Sequence, residues 1–569
     1  MTDRRLFIVG LALVAYGYLG LLWRGLPPSP VVFVREWVNK PLGIGEDFAY
    51  LGIAVLLIAF GLLITPELLH RLTLPVAAVL MLGIAGVLLG SAELGGVLRP
   101  VCALVLFVAI WAPTRRWPWI SVLLQLEAAY ALLLLGKIPG LHQAGLIAEY
   151  LPLLTLGMLI RLGTWRAVLL GVLCVSVPGV AETVYPELTG WWHALTVLYA
   201  VLFVLLLRRN PDGAQPESRY LHGLDFVRVL ASCLVVYAHI QGWLIVRGQH
   251  WWLTDWVQAN VIGTLQLNDR LSILGVTMFL VVSGVVVTYV TQRENPGQFL
   301  WRRLTRIAPL LWVVTPLVWI LITVGQRVGD EVSSAGVGVG DLLRGLVLAN
   351  FFTSPLERLV GVTWTLVIQV AFYCYVAAAI PALRRRPWIP PMVVALVCFV
   401  VVLATAGSRN QAVLEVHQIC AYLPLLCIGQ LISLAHTGQV HRATAALIGA
   451  VHLALFTWMD QVAMTTYPNY ANVRTAVLVV LFVAVMMNVN GPVSRSKLIR
   501  NWSKRTYAIY LVHTACIFAV MDHFASVIGP DAGIVLSLAV SAGVAEILHR
   551  FVEMPAERLL RARRSPVRQ

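Results

Sequence analysis

Charge is what this 569-residue chain is short of. Asp, Glu, Lys and Arg make up 12% of it against 59% hydrophobic residues, and the mean hydropathy is +0.82. A soluble domain must cover itself with polar surface, so this composition excludes one and leaves an integral membrane protein. Acidic residues are the scarcer sign, 27 Asp and Glu against 42 Lys and Arg, for a net charge of +15. That surplus does not point to nucleic acid, because the basic residues sit in short loops between apolar stretches, where they set membrane orientation. The eight cysteines (Cys102, Cys174, Cys233, Cys374, Cys398, Cys420, Cys427 and Cys516) show neither a CxxC pair nor metal-type spacing. They are expected to be small apolar core residues, with no redox role and no metal. Fixed-period repeats and low-complexity tracts are also missing.

Long apolar runs are abundant. FAYLGIAVLLIAFGLLIT from Phe48, LTLPVAAVLMLGIAGVLLG from Leu72, AVLLGVLCVSVPGVA from Ala167 and AVLVVLFVAVMMNV from Ala476 approach or reach the ~20 residues a helix needs to cross a hydrocarbon core. Lipid offers backbone groups no partner outside their own helix, so the expected fold is an all-α polytopic bundle. Counting runs predicts about 18 transmembrane helices, about eight in an N-terminal domain over residues 1–210 and about ten after it. The stretch from Leu6 to about Trp23 reads as a retained anchor, being long and followed by no small-residue cleavage site. RRNPDGAQPESRYLHG, Arg208 to Gly223, is rich in Pro, Gly and polar residues and marks the boundary, with 211–222 as a cytoplasmic linker. The second domain is predicted over 223–560, with spans near 223–246, 271–291, 308–325, 361–383, 389–405, 416–435, 442–459, 474–489, 504–522 and 533–551, then a basic tail over 561–569. Arg-rich loops such as PTRRW, RRRP and NGPVSRSKLIRNWSKR then fall on one side, which puts both termini in the cytoplasm; Arg247, Arg270, Arg327 and Arg474 are exceptions to the rule. Asp341 to Phe352 is too short to span and is expected to lie in the interface or re-enter.

Ionisable residues inside spans are functional-site candidates by default. RVLASCLVVYAH begins at Arg228 and ends at His239. Eleven helical steps return the histidine to within about 20° of the arginine's face, about 16 Å further along the axis. His239 is either a hydrogen-bonded packing residue or a catalyst, and Arg228 either snorkels or binds an anion. In WRRLTRIAP, Arg303 and Arg306 stand one turn apart, so both can converge on one anion; the same cluster, with Arg302, also satisfies the orientation rule. TYAIYLVH puts Thr506, Tyr510 and His513 on one face at steps of four and three. Glu127 falls near the centre of an apolar run two residues from Gln125. It is expected to line an acceptor path, to contact the second domain, or to be a buried hydrogen-bonded acid.

RYLHGLDFVRVLASCLVVYAH resembles the opening of the membrane acyltransferase family 3, whose first core helix carries Arg or Lys, ten residues, then His. GVTMFLVVSGVV from Gly275, WRRLTRIAPLLW, WTLVIQVAFYCY, TYAIYLVH and FVEMP resemble further family segments in the same order, covering about Arg219 to Arg558. Residues 1–210 are not covered. One position departs: the family's WSLxxE pattern usually ends in glutamate, whereas this chain has Gln369, which keeps hydrogen bonding and loses charge. If that glutamate orients or charges the histidine site, that role is either missing here or supplied by another acid such as Asp225 or Glu553; Glu553 is otherwise expected to pair with a loop arginine. Ser283 lacks the GxSxG context of a nucleophile, and its Ser-Gly pair is expected to permit close helix packing.

The resemblance implies transfer of an acyl group, usually acetyl, from cytoplasmic acyl-CoA to a hydroxyl of a cell-envelope or exported carbohydrate or glycolipid acceptor, in a bacterial plasma (inner) membrane. Arg228, Arg302, Arg303 and Arg306 would hold the donor's phosphates, and His239 would meet the thioester as general base or, alternatively, as acyl carrier. His513 and Tyr510 would orient substrate or share the proton work, or else pack as a hydrogen-bonded pair. The rival reading is a transporter or flippase for an anionic or glycolipid substrate. Against it stand the arginines gathered with His239 on one side and the lack of paired, Gly/Pro-broken spans in the two halves.

Overall fold

The computed structural model describes residues 2–22, 35–44, 49–65, 92–139, 141–163, 170–171, 192–207, 220–291, 294–329, 337–354, 359–405, 407–462, 470–489 and 491–562. Every regular element among these residues is a helix, with no strand among them. Among the described residues, ten helices are long and apolar enough to cross a membrane, and six shorter apolar helices accompany them. Two of the ten, Pro118–Leu135 and Gly145–Leu162, lie in the N-terminal part. The runs expected from Leu72 and Ala167 fall largely outside the described residues. The chain divides into two compact units, one of Met1–Glu217 with Gly263–Gln266 and one of Ser218–Ile262 with Leu267–Gln569. The seven described cysteines are free thiols.

The long helices of the first unit are α1 (Thr2–Leu22), α2 (Ala49–Leu63), α3 (Ala92–Thr114), α4 (Pro118–Leu135), α5 (Leu151–Leu162) and α6 (Trp192–Leu207). Their core gathers Ile58, Phe107, Val122, Leu151 and Val204. On α4 the polar residues Ser121 and Gln125 are both buried; Gln125 donates to Ser121 Oγ at 3.0 Å and accepts from Thr155 Oγ1 of α5 at 2.7 Å. Glu127 is exposed beside Leu123 and Leu124, so the buried hydrogen-bonded acid expected there is not found. Two residues along a helix turn about 200° around it, so only one of this pair can face the core.

The second unit holds α7 (His222–Val246), α8 (Ser272–Val290), α9 (Pro296–Thr323), α10 (Trp364–Arg385), α11 (Ile389–Thr405), α12 (Gln411–His436), α13 (Arg442–Val462), α14 (Ala471–Met486), α15 (Lys497–Ile528) and α16 (Pro530–Leu548). Between α9 and α10 the segment expected to be too short to span forms a helix over Val339–Leu346 and a 3-10 turn over Ala349–Phe352. The largest shift from expectation among these helices is at the start of α9, and α15 likewise runs beyond the expected 504–522 at both ends. WRRLTRIAP reads as a loop before a span at 308–325, but the helix starts at Pro296 and carries all three arginines. Proline in the first helical turn costs no hydrogen bond, because that N–H has no partner within the helix. Arg384 closes the turn before α9, donating to the carbonyls of Thr291 (2.9 Å) and Glu294 (2.8 Å).

Small residues let backbones touch where lipid gives helices no hydrophobic reason to associate. Gly284 of α8 and Gly429 of α12 face each other. A Cβ on Gly284 would meet the Leu426 carbonyl oxygen at 2.1 Å, and one on Gly429 the Val281 oxygen at 2.1 Å. Gly284→Val is therefore expected to separate α8 from α12 and to destabilise the second unit by at least about 1–3 kcal/mol, the usual cost of overpacking. Thermal unfolding in detergent checks this. A buried polar chain staples three further segments: Ser272 Oγ donates to Asn268 Oδ1 (3.1 Å), Asn268 Nδ2 to Asn472 Oδ1 (2.7 Å), and Asn472 Nδ2 to Asp460 Oδ1 (2.7 Å).

Candidate active site

α7 runs unbroken from His222 to Val246, so the helical rise between Arg228 and His239, about 16 Å, holds. Arg228 stands in the helix's second turn, 3.8 Å from Asp225 one turn earlier. Asp225 is 3% exposed. Its carboxylate accepts from Tyr220 Oη (2.7 Å) on one oxygen and from Ser503 Oγ of α15 (2.7 Å) on the other. Partial desolvation of the Tyr220 hydroxyl, and then the carboxylate beside it, push its pKa up to about 12. The phenol therefore stays protonated and keeps donating at neutral pH. Asp225 thus anchors a guanidinium whose remaining donors face a recess.

That recess is lined by five helices of the second unit and contains about 810 Å³ of non-atom space, part of it open to the surroundings. Arg228 of α7 and Arg306 of α9 supply its cations. Its wall includes Ser283 and Phe279 of α8, Gln369 and Tyr373 of α10, and Thr506 and Tyr510 of α15. Two guanidiniums beside one carboxylate leave net positive charge, which suits an anion with several oxygens. Tyr373 donates to Gln369 Oε1 at 3.4 Å, one turn away on the same helix. Ser283 faces the recess while its neighbour Gly284 packs against α12, so the Ser-Gly pair serves both cavity and packing.

Tyr510 belongs to the wall and leads to the histidines. Its hydroxyl shares a 2.8 Å hydrogen bond with Thr365 and lies 3.1 Å from the Val362 carbonyl oxygen. Its ring packs edge-on to Phe279 at 5.5 Å between centroids and lies 5.9 Å from the His513 ring. The imidazoles of His513 and His239 meet in turn, centroids 5.0 Å apart and planes at 61°. His513 is fully buried and His239 half-buried. The structure thus brings α7 and α15 together so that the two intramembrane histidines touch, one aromatic ring from the recess.

Four candidates stand elsewhere. Arg303 is not among the recess-lining residues; its guanidinium lies over the Phe299 ring at 5.5 Å. Arg302 forms an ion pair with Glu294. Glu553 pairs with His549 Nδ1 at 2.7 Å, rather than with the loop arginine expected. Glu127 belongs to the first unit. Among the wall residues not singled out from sequence are Thr365 and Tyr373. Both stand four residues from Gln369, and that polar stripe is a signal the sequence carries.

A recess presenting two guanidiniums close to a pair of imidazoles has the chemistry to take an anion and to move a proton. The family model described as an acyltransferase domain, acyltransferase 3, matches residues 221–548, more than half of the chain. The chain belongs to that family of membrane acyltransferases. No curated protein and no solved structure matches it.

Proposed function

We propose that this protein transfers an acyl group, most simply acetyl, from acyl-CoA on the cytoplasmic side of the plasma (inner) membrane to a hydroxyl of a cell-envelope or exported carbohydrate or glycolipid. The observation that carries this reading is the recess that joins Arg228 and Arg306 to Tyr510, one ring from His513 and His239. Acyl-CoA is polyanionic at its nucleotide end and thin at its thioester end. Arg228 and Arg306 bind phosphate oxygens through charge-assisted bonds. His239, about 16 Å deeper along α7, meets the thioester. His239 takes the proton of the acceptor hydroxyl as its oxygen attacks the thioester carbonyl carbon. The new C–O bond replaces the C–S bond, and His239 returns the proton to the leaving thiolate, giving an ester and free thiol. Both termini are cytoplasmic in this arrangement, and no metal takes part.

The test is turnover of radiolabelled acetyl-CoA by the purified full-length protein in nanodiscs, following hydrolysis and transfer. Consumption that depends on His239 is the expected result. A wild-type protein that neither binds nor consumes acetyl-CoA or a longer acyl-CoA, with envelope lipid present as acceptor, removes this reading and favours a transporter.

A further inference from the structure

Three polar residues of α10, Tyr373, Gln369 and Thr365, stand at steps of four on the side that lines the recess. Their contacts place the two ends of this stripe. The Tyr373 ring packs edge-on to Phe299 at 6.4 Å between centroids, and Arg303 lies over that same Phe299 ring. Thr365 shares its hydrogen bond with Tyr510, whose ring lies 5.9 Å from that of His513. At 1.5 Å per residue the stripe covers about 12 Å, within the about 16 Å between Arg228 and His239 on α7. Gln369 is its midpoint, between the arginine end and the imidazole end. The hydroxyls of Thr365, Tyr373 and Thr506 are engaged within the protein, with Tyr510, Gln369 and the Ser503 carbonyl. Gln369 differs: its Oε1 accepts from Tyr373, and its Nε2 has no hydrogen-bond partner among the described residues. A helical serine such as Ser283 can turn its hydroxyl back to a carbonyl of its own helix. The amide nitrogen only donates, and at this depth it calls for an acceptor in whatever fills the recess.

We propose that Gln369 recognises the pantetheine arm of acyl-CoA, its Nε2 donating to the carbonyl oxygen of one of the arm's two amides; this rests on the acyl-transfer reading above. The chemistry then matches at each depth. Phosphates meet guanidiniums, the thioester meets imidazole, and the arm between them carries amides, which are neutral and hydrogen-bonding. An amide side chain pairs with such a group without bringing a charge into the membrane and without exchanging a proton. The contact limits how far the arm can slide, and so sets the depth at which the thioester stops beside His239. It also makes the recess selective. A donor of similar charge and length with a plain hydrocarbon arm leaves the Gln369 N–H groups unpaired and binds more weakly for that reason.

The test measures binding of desacetyl-CoA to the full-length protein in nanodiscs, against two analogues in which one or the other pantetheine amide is replaced by two methylenes. Wild type is expected to bind desacetyl-CoA about 3- to 10-fold more tightly than one of the analogues, the range of a single neutral hydrogen bond. Gln369→Leu is expected to weaken desacetyl-CoA binding by the same factor and to bind that analogue equally well, within about two-fold. Arg306→Ala should weaken all three ligands alike and keep the preference. The subsite is overturned if wild type binds both analogues as tightly as desacetyl-CoA, the result expected when Nε2 meets only water in the recess, or if Gln369→Leu keeps the wild-type preference. Should Gln369→Leu fail to fold, Gln369→Met, of similar length and without a donor, decides by the same comparison. A wild-type protein that binds no desacetyl-CoA at all removes the acyl-transfer reading itself, a result distinct from both of these.

Discussion

His239→Ala is expected to lower acyl transfer by about 10²–10⁴-fold, the range a positioned general base contributes, with acyl-CoA binding largely intact. The split follows from the geometry. The cations of the recess stand near the start of α7, and His239 comes eleven residues later on the same helix. A side chain so far from the phosphates contributes little to holding them. Single-turnover acetyl transfer, measured alongside equilibrium binding of desacetyl-CoA, separates the two effects. Equal loss of binding and rate would place the thioester elsewhere and remove His239 from the chemistry. His239→Gln is expected to bind donor as well as wild type and to remain slow, because an amide cannot take up a proton at neutral pH.

Removal of the recess cations should do the reverse. Hydrogen bonds to charged groups contribute about 1.5–3 kcal/mol each, so Arg306→Ala is expected to weaken acyl-CoA binding about 10- to 100-fold while the rate at saturation falls little. Arg228→Ala should do at least as much, and for a second reason. It leaves Asp225 buried with two hydroxyl donors and without the cation beside it, and an uncompensated buried carboxylate also weakens the fold. Arg302→Ala and Arg303→Ala should have smaller effects on donor binding, since Arg302 is engaged with Glu294 and Arg303 lies over Phe299. Titration with desacetyl-CoA across ionic strengths checks the ranking. A larger loss for Arg303→Ala than for Arg306→Ala would move the phosphate site out of the recess.

The helices of the second unit were legible because hydrophobic length is a strong signal in lipid. The expected 223–246 and 271–291 stand beside the observed His222–Val246 and Ser272–Val290. The start of α9 is not legible because a charged run reads as the end of a helix, whereas Arg303 lies over Phe299 and Arg302 pairs with Glu294 within or just before the same helix. Arg228 and His239 could be placed on one stripe because a single helix carries both. His239 against His513 could not, because periodicity along one helix says nothing about which helix faces it. The same holds for Asn268 and Asn472, whose meeting depends on packing between segments 204 residues apart. At Gln125 and Glu127 the sequence shows two polar residues in an apolar run, and only the neighbouring α5 decides which one is buried.

α15 is 32 residues long. At 1.5 Å per residue it extends about 48 Å, well beyond the ~30 Å of a hydrocarbon core. Along it, in order, stand Ser503 on the Asp225 carboxylate, Tyr510 in the recess wall, His513 against His239, and Asp522, which accepts from Trp243 Nε1 at 2.8 Å and pairs with Arg247. α7, with Arg247 just past its end, carries the opposite member of all but the second of these contacts. The two helices are thus riveted at both ends and in the middle, like the stiles of a ladder. Sliding one past the other by a single turn would break the anion anchor, the imidazole contact and the far ion pair together. Selection cannot retune one rung of such a pair without reckoning with the other two.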